Sequence, residues 1–227
     1  MKRIYFSDSK NFRNKKEISI KLKRKVTMLI FARILSIIFT PFYLPLVCMG
    51  ALFLFTYLNM LPWQYKLQML LLTYFFTILI PTVLIRFYRV YHGRKLFHLS
   101  KREKRMVPYL ISILSYLLYY EILRYFHVPH FMASIGIAAL LIQIICAMIN
   151  MKINISTHMA AIGGVLGGVV AFSFIMGFNA LGWISALIII AGMVGTARMI
   201  LRIHSLSEIV SGFLIGILTT FVTVIFL

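Results

Sequence analysis

Apolar residues run along this chain in blocks of about 20, the length that crosses a bilayer core as a helix. The blocks fall near 40–60, 66–90, 107–127, 130–151, 157–178, 182–201 and 206–227. Short polar joints such as NMLPWQYK, HVPH and GFNALGW separate them, with no room for a soluble domain or a low-complexity linker. Upstream, VTMLIFARILSIIFTPFYLP sets Arg33 amid apolar residues behind a Lys/Arg run and ends in a Pro41/Pro45 bend. It reads as an interfacial helix leading into the first span. The pattern predicts an all-α polytopic membrane helix bundle with six or seven transmembrane helices. Residues 1–27 form a basic N-terminal juxtamembrane segment and 28–227 a single membrane domain. Gly163/Gly167, Gly164/Gly168 and Gly212/Gly216 lie four apart, a spacing that lets helix backbones approach closely and predicts a compact bundle.

Composition supports the membrane assignment. The 227 residues are 61% hydrophobic and only 13% charged, more apolar surface than one soluble core of that length can hide. The formal net charge of +19 raises nucleic acid as a partner, but the cations flank apolar blocks and form no groove with interleaved aromatics. They read as juxtamembrane charges facing anionic lipid, and no nucleic-acid partner is expected. Cys48 and Cys146 both sit inside apolar blocks, which indicates neither a disulfide framework nor a metal site. The first 25 residues are polar and basic, without the apolar stretch and small-residue cleavage site of a signal peptide.

Successive crossings return the chain to one side at three places: the 93–106 loop, 152–157 and 199–205. They read GRKLFHLSKREKRMVPY, MKINISTHMAAIGG and TARMILRIHSLSE. The opposite joints offer little beyond Lys66, His127 and His130, with Glu121 and Arg124 near the end of one span; these two, at i and i+3, are expected to pair. Ionisable groups in or beside spans are expensive and face the protein interior or a wet cavity, so their gathering on one side predicts a site. Several cations with two histidines and almost no carboxylate favour a polyanion. Phosphate fits best, because arginine gives its oxygens bidentate, charge-assisted hydrogen bonds. His158 follows Ser156 where a span begins and exposes backbone N–H groups. Two histidines can share the work, one attacking phosphorus and one protonating the leaving alkoxide. Glu208, one turn beyond His204, can hold that imidazole in the productive tautomer.

These residues resemble the type 2 phosphatidic acid phosphatases, a superfamily with motifs K-x6-R-P, P-S-G-H and S-R-x5-H-x3-D separated by membrane helices. ARMILRIHSLSE matches the third motif with Arg198, His204 and Glu208 at its spacing, followed by the glycine-bearing IVSGFLIG. Ala197 stands for Ser there and Glu208 for Asp. ISTH matches the second motif at Ser156 and His158, with Ile155 and Thr157 where Pro and Gly are usual. KREKRMVP matches the first motif least: Arg105 lies three residues before Pro108 and Lys101 four before that arginine. The resemblance covers roughly 85–220. It implies an integral membrane phosphatase that hydrolyses a lipid phosphate or diphosphate through a phosphohistidine, with no metal or other cofactor. It makes His204 the nucleophile, His158 the general acid and Glu208 the orienter. Arg105, Arg198, Ser156 and Lys101 are the implied phosphate binders, with a phosphorylated lipid as substrate and membrane lipids as surroundings.

Each assignment has a competing structural role. Ser205 and Glu208 form an S-x-x-E capping box, Ser156 suits a helix N-cap, and Arg94, Lys95, Arg102 and Lys104 suit topology charges. A non-catalytic binder or transporter of anionic lipids is the alternative from another class. Ten Lys+Arg in 1–25 and eight in 86–105 bias the motif side toward the cytoplasm, whereas many relatives in the resembled superfamily work on the outer face. The bacterial inner (plasma) membrane is the expected location.

Overall fold

A computed structural model describes residues 23, 25–91 and 103–227. Among them the chain is helical and carries no strand. The helices are α1 (25–38), α2 (Leu44–Phe55), α3 (Trp63–Tyr91), α4 (Glu103–Tyr125), α5 (His130–Asn150), α6 (Thr157–Met176), α7 (Leu181–Ile200) and α8 (Leu206–Phe226). Seven helical segments among the described residues are long and apolar enough to cross a membrane. The chain is an all-α membrane protein, and six of the expected spans stand within a few residues of where the apolar blocks put them.

The first span differs. The apolar helical length is Lys25–Tyr43, whereas 40–60 breaks into a 3-10 turn at Pro41–Tyr43, the 12-residue α2 and a second 3-10 turn at Tyr57–Met60. At about 1.5 Å per residue α2 reaches only about 18 Å, short of a roughly 30 Å core. The prolines are the cause. Pro41 has no N–H for the Ile37 carbonyl and disfavours a helical Thr40, and Pro45 sits in the first turn of α2, where a missing N–H costs nothing. α2 is instead an internal element, with Met49, Leu52 and Phe53 almost wholly buried.

Burial is arranged as in other membrane bundles. Leu110, Leu114, Leu117 and Leu118 of α4 are exposed, while Thr73, Thr77, Ser112, Ser115, Gln143 and Thr220 are buried. The hydroxyls of Thr73, Thr77, Ser112 and Ser115 bond the carbonyl four residues earlier at 2.7–2.9 Å, so these four enter the interior satisfied. α3 widens to a π turn at Phe75–Leu79. Pro81 explains it: this residue cannot donate to Thr77, and its ring pushes that carbonyl away.

The most extensive helix contact joins α6 and α8, and glycine makes it. A Cβ on Gly216 would strike the Ala160 carbonyl and lie 2.7 Å from the Gly164 nitrogen. One on Gly212 would lie 2.7 Å from the Ser156 oxygen, and ones on Gly163 and Gly167 would strike the Phe213 and Ile217 carbonyls. The paired glycines thus put α6 and α8 backbone to backbone. Because short joints make α5 to α8 antiparallel, the 151–156 and 201–205 joints meet at one end of the bundle. Glu121 and Arg124 depart from expectation: both are exposed and no ion pair joins them. They stand near the end of α4, where side chains can reach the interface.

Candidate phosphate site

The joint between α7 and α8 is built to bring His204 back over Arg198. Arg202 adopts φ 52°, and two bonds close the turn: Ile203 N–H to the Arg198 carbonyl at 3.2 Å and Arg202 N–H to the Met199 carbonyl at 2.9 Å. This is a Schellman ending with arginine where glycine is usual. Two residues on, Ser205 caps α8: its Oγ accepts from the Glu208 N–H at 3.5 Å, and Glu208 Oε2 accepts from the Ser205 N–H at 3.3 Å. The same Oε2 lies 2.8 Å from His204 Nδ1. Capping and histidine orientation, competing roles for Glu208 in the sequence, are therefore one arrangement. With Nδ1–H directed at the carboxylate, the lone pair of the ring is on Nε2.

The joint between α5 and α6 is tied by Asn150. Its Nδ2 donates to the Cys146 carbonyl at 2.9 Å and to the Tyr109 hydroxyl at 3.1 Å, and its Oδ1 accepts from the Ile155 N–H at 2.9 Å. That lock presents Ser156, whose N–H donates to the Glu208 carbonyl at 3.2 Å, joining the second and third motifs through the backbone. Ser156 is the N-cap residue of α6, yet its side chain makes no capping bond. Its Oγ is fully buried with no hydrogen-bond partner among the described residues, and so is His158 Nδ1. His158 stands in the first turn of α6 within electrostatic reach of Arg198 and His204, and its ring engages the backbone of Ser36.

Arg198 is 9% exposed and donates from Nη1 to Ser36 Oγ at 2.8 Å. Five sequence-predicted residues, Ser156, His158, Arg198, His204 and Glu208, thus meet at one end of the bundle. Arg105 lies in the first turn of α4, one turn before Tyr109 on the same face; its side chain and all of Lys101 lie outside the described residues. Ser36 and Asn150 are the two site residues that the motifs do not indicate. A serine in an apolar run and an asparagine at a helix end are too common to stand out.

The arrangement suits an oxyanion. The α6 N-terminus supplies unpaired N–H groups and a positive dipole end, Ser156 a hydroxyl, and Arg198 a buried guanidinium. Among the described residues no group of three His, Cys, Asp or Glu side chains gathers as metal ligands. No family model, curated protein or solved structure matches the chain. The resemblance to phosphatidic acid phosphatases therefore stands on the three motifs alone.

Proposed function

We propose that this membrane protein is a phosphatase acting on a lipid phosphate or diphosphate. The observation that carries the proposal is the meeting of His204, oriented by Glu208 at 2.8 Å, with Arg198, His158 and the partnerless buried hydroxyl of Ser156. His204 Nε2 attacks phosphorus, and the P–O bond to the lipid breaks. His158 donates a proton to the departing alkoxide, or to the leaving phosphate of a diphosphate. Water then attacks the phosphohistidine, His158 takes its proton, and inorganic phosphate leaves with His204 restored. Arg198, Ser156 and the N–H groups of α6 hold the oxygens while charge develops, and Glu208 stabilises the charge that His204 acquires.

The membrane setting supports a lipid substrate. A crevice lined by Thr157, Ala161, Gly164 and Gln143 adjoins the site, but at ≈ 50 Å³ it has no room for a lipid tail, so the tail of a substrate would stay in the bilayer. Described cations near this end include Arg86, Arg89, Lys152 and Arg202, consistent with a cytoplasmic site by charge bias in a bacterial inner membrane. The test is phosphate release from micellar phosphatidate or prenyl diphosphate by purified protein in EDTA. Release that Arg198→Ala and His204→Ala abolish supports the proposal. Binding without release would make the protein an anionic-lipid binder, and activity lost in EDTA would contradict the mechanism.

A further inference from the structure

The N-terminal helix α1 precedes every motif, yet it brings two groups of one residue into the site. Ser36 Oγ accepts from Arg198 at 2.8 Å, and the backbone of Ser36 lies within electrostatic reach of His158. Both contacts are unusual for a serine in an apolar helix. The buried hydroxyls of Ser112 and Ser115 bond the carbonyl one turn back, whereas the oxygen of Ser36 takes a charged donor 162 residues away. The backbone contact has a cause in the sequence. Pro41 has no N–H to continue the ladder and disfavours a helical Thr40; α1 ends at 38, and the Ser36 carbonyl is among the last four, which lack a partner within the helix. Ala32, Leu35 and Ser36 form the buried stripe of α1, which lies along α7 beside Thr196, Ala197 and Ile200.

We propose that Ser36 is a positioning residue of the phosphate site, its hydroxyl holding the Arg198 guanidinium. The N-terminal helix is then a structural part of that site. The inference rests on the phosphatase reading for its ligand class, a phosphate oxyanion, but not on turnover. An arginine must present its planar fork at a fixed angle to grip phosphate, and a second-layer acceptor that sets this angle lowers the entropy lost on binding.

The experiment is orthovanadate binding to the purified full chain, read as a thermal shift in detergent, alongside phosphate release from phosphatidate. Ser36→Ala should weaken orthovanadate about tenfold, the size of one hydrogen bond to a charged group, with the thermal shift read against the variant's own unliganded melting temperature, which falls because Arg198 loses a buried acceptor. Ser36→Thr, which keeps the acceptor, should recover most of the affinity. Ser36→Ala combined with Arg198→Ala should be no weaker than Arg198→Ala alone, because both changes remove the same grip. In turnover Ser36→Ala should lower kcat more than it raises KM. If Ala at 36 prevents folding, Ser36→Cys keeps the volume with a weaker acceptor and should rank between Ala and Thr. Wild-type affinity in Ser36→Ala, or additive losses in the double variant, would overturn the proposal. So would a wild-type protein that binds no orthovanadate. Binding with the expected coupling but no phosphate release would sustain the positioning role while the catalytic reading fails.

Discussion

Replacing Glu208 with Gln removes a charge and keeps a shape. In the structure a single oxygen, Oε2, accepts from both His204 Nδ1 and the Ser205 N–H, at 2.8 and 3.3 Å. The amide oxygen of glutamine can occupy that position and accept both bonds. Geometry and cap therefore survive, and stability should fall by no more than about 1 kcal/mol, the difference between a charged and a neutral hydrogen bond. Chemistry should suffer more. Once His204 attacks, its ring carries positive charge about 4 Å from the carboxylate centre, worth about 4 kcal/mol at an effective dielectric of 20. The Glu208 side chain is 24% exposed, and screening reduces that value. Between about 3 and 4 kcal/mol remains, or a rate loss of roughly 10²- to 10³-fold. The assay is initial phosphate release from micellar phosphatidate in EDTA, with melting temperature measured on the same preparation. A Glu208→Gln rate within threefold of wild type would refute the orienter role and leave Glu208 as a helix cap. Glu208→Asp, the residue usual in the resembled motif, should retain partial activity.

Three further outcomes follow from the packing. Gly216→Ala should destabilise the protein by about 3 kcal/mol through overpacking, because its Cβ meets the Ala160 carbonyl and the Gly164 nitrogen. Gly192→Ala, with nothing within 4 Å of the new Cβ, should be neutral or slightly stabilising; equal melting temperatures for the two would refute the close α6–α8 contact. Arg202→Gly should raise stability by about 1 kcal/mol by relieving the left-handed backbone, checked by thermal unfolding; a loss would mean that the arginine side chain contributes more than its backbone strain removes. Asn150→Ala should cost about 2 kcal/mol by freeing the Ile155 N–H and should lower kcat because Ser156 is released, whereas an unchanged kcat would show that the joint keeps its shape without that lock.

The apolar blocks made six helices legible because each is bounded by a polar joint or a glycine, and hydropathy at a 20-residue scale detects such edges directly. It fails between 26 and 60, where apolar character is continuous and only prolines mark the breaks. There the candidate span Lys25–Tyr43, made of α1 and the turn after it, takes the place expected of 40–60. The meeting of the joints bearing His158 and His204 was legible because ionisable residues beside spans are scarce and these fall on one side. Glycine spacing pointed to close helix packing for a similarly direct reason, without showing that α6 pairs with α8. What local pattern could not show was pairing across the bundle. The Ser36–Arg198 bond spans 162 residues and the Asn150–Tyr109 bond 41, and neither leaves a periodic trace. Glu208 shows a subtler limit, since capping box and histidine partner looked like rivals until one oxygen was found serving both.

The central claim is that His204 becomes phosphorylated, and one measurement addresses it directly. Wild-type protein, given phosphatidate carrying radioactive phosphorus in EDTA and quenched during turnover, should yield an acid-labile, base-stable label that peptide mapping places on His204. His204→Ala should carry no label, and His158→Ala should accumulate little because its leaving group goes unprotonated. Turnover without a histidine label, or a label on His158 that persists in His204→Ala, would contradict the account.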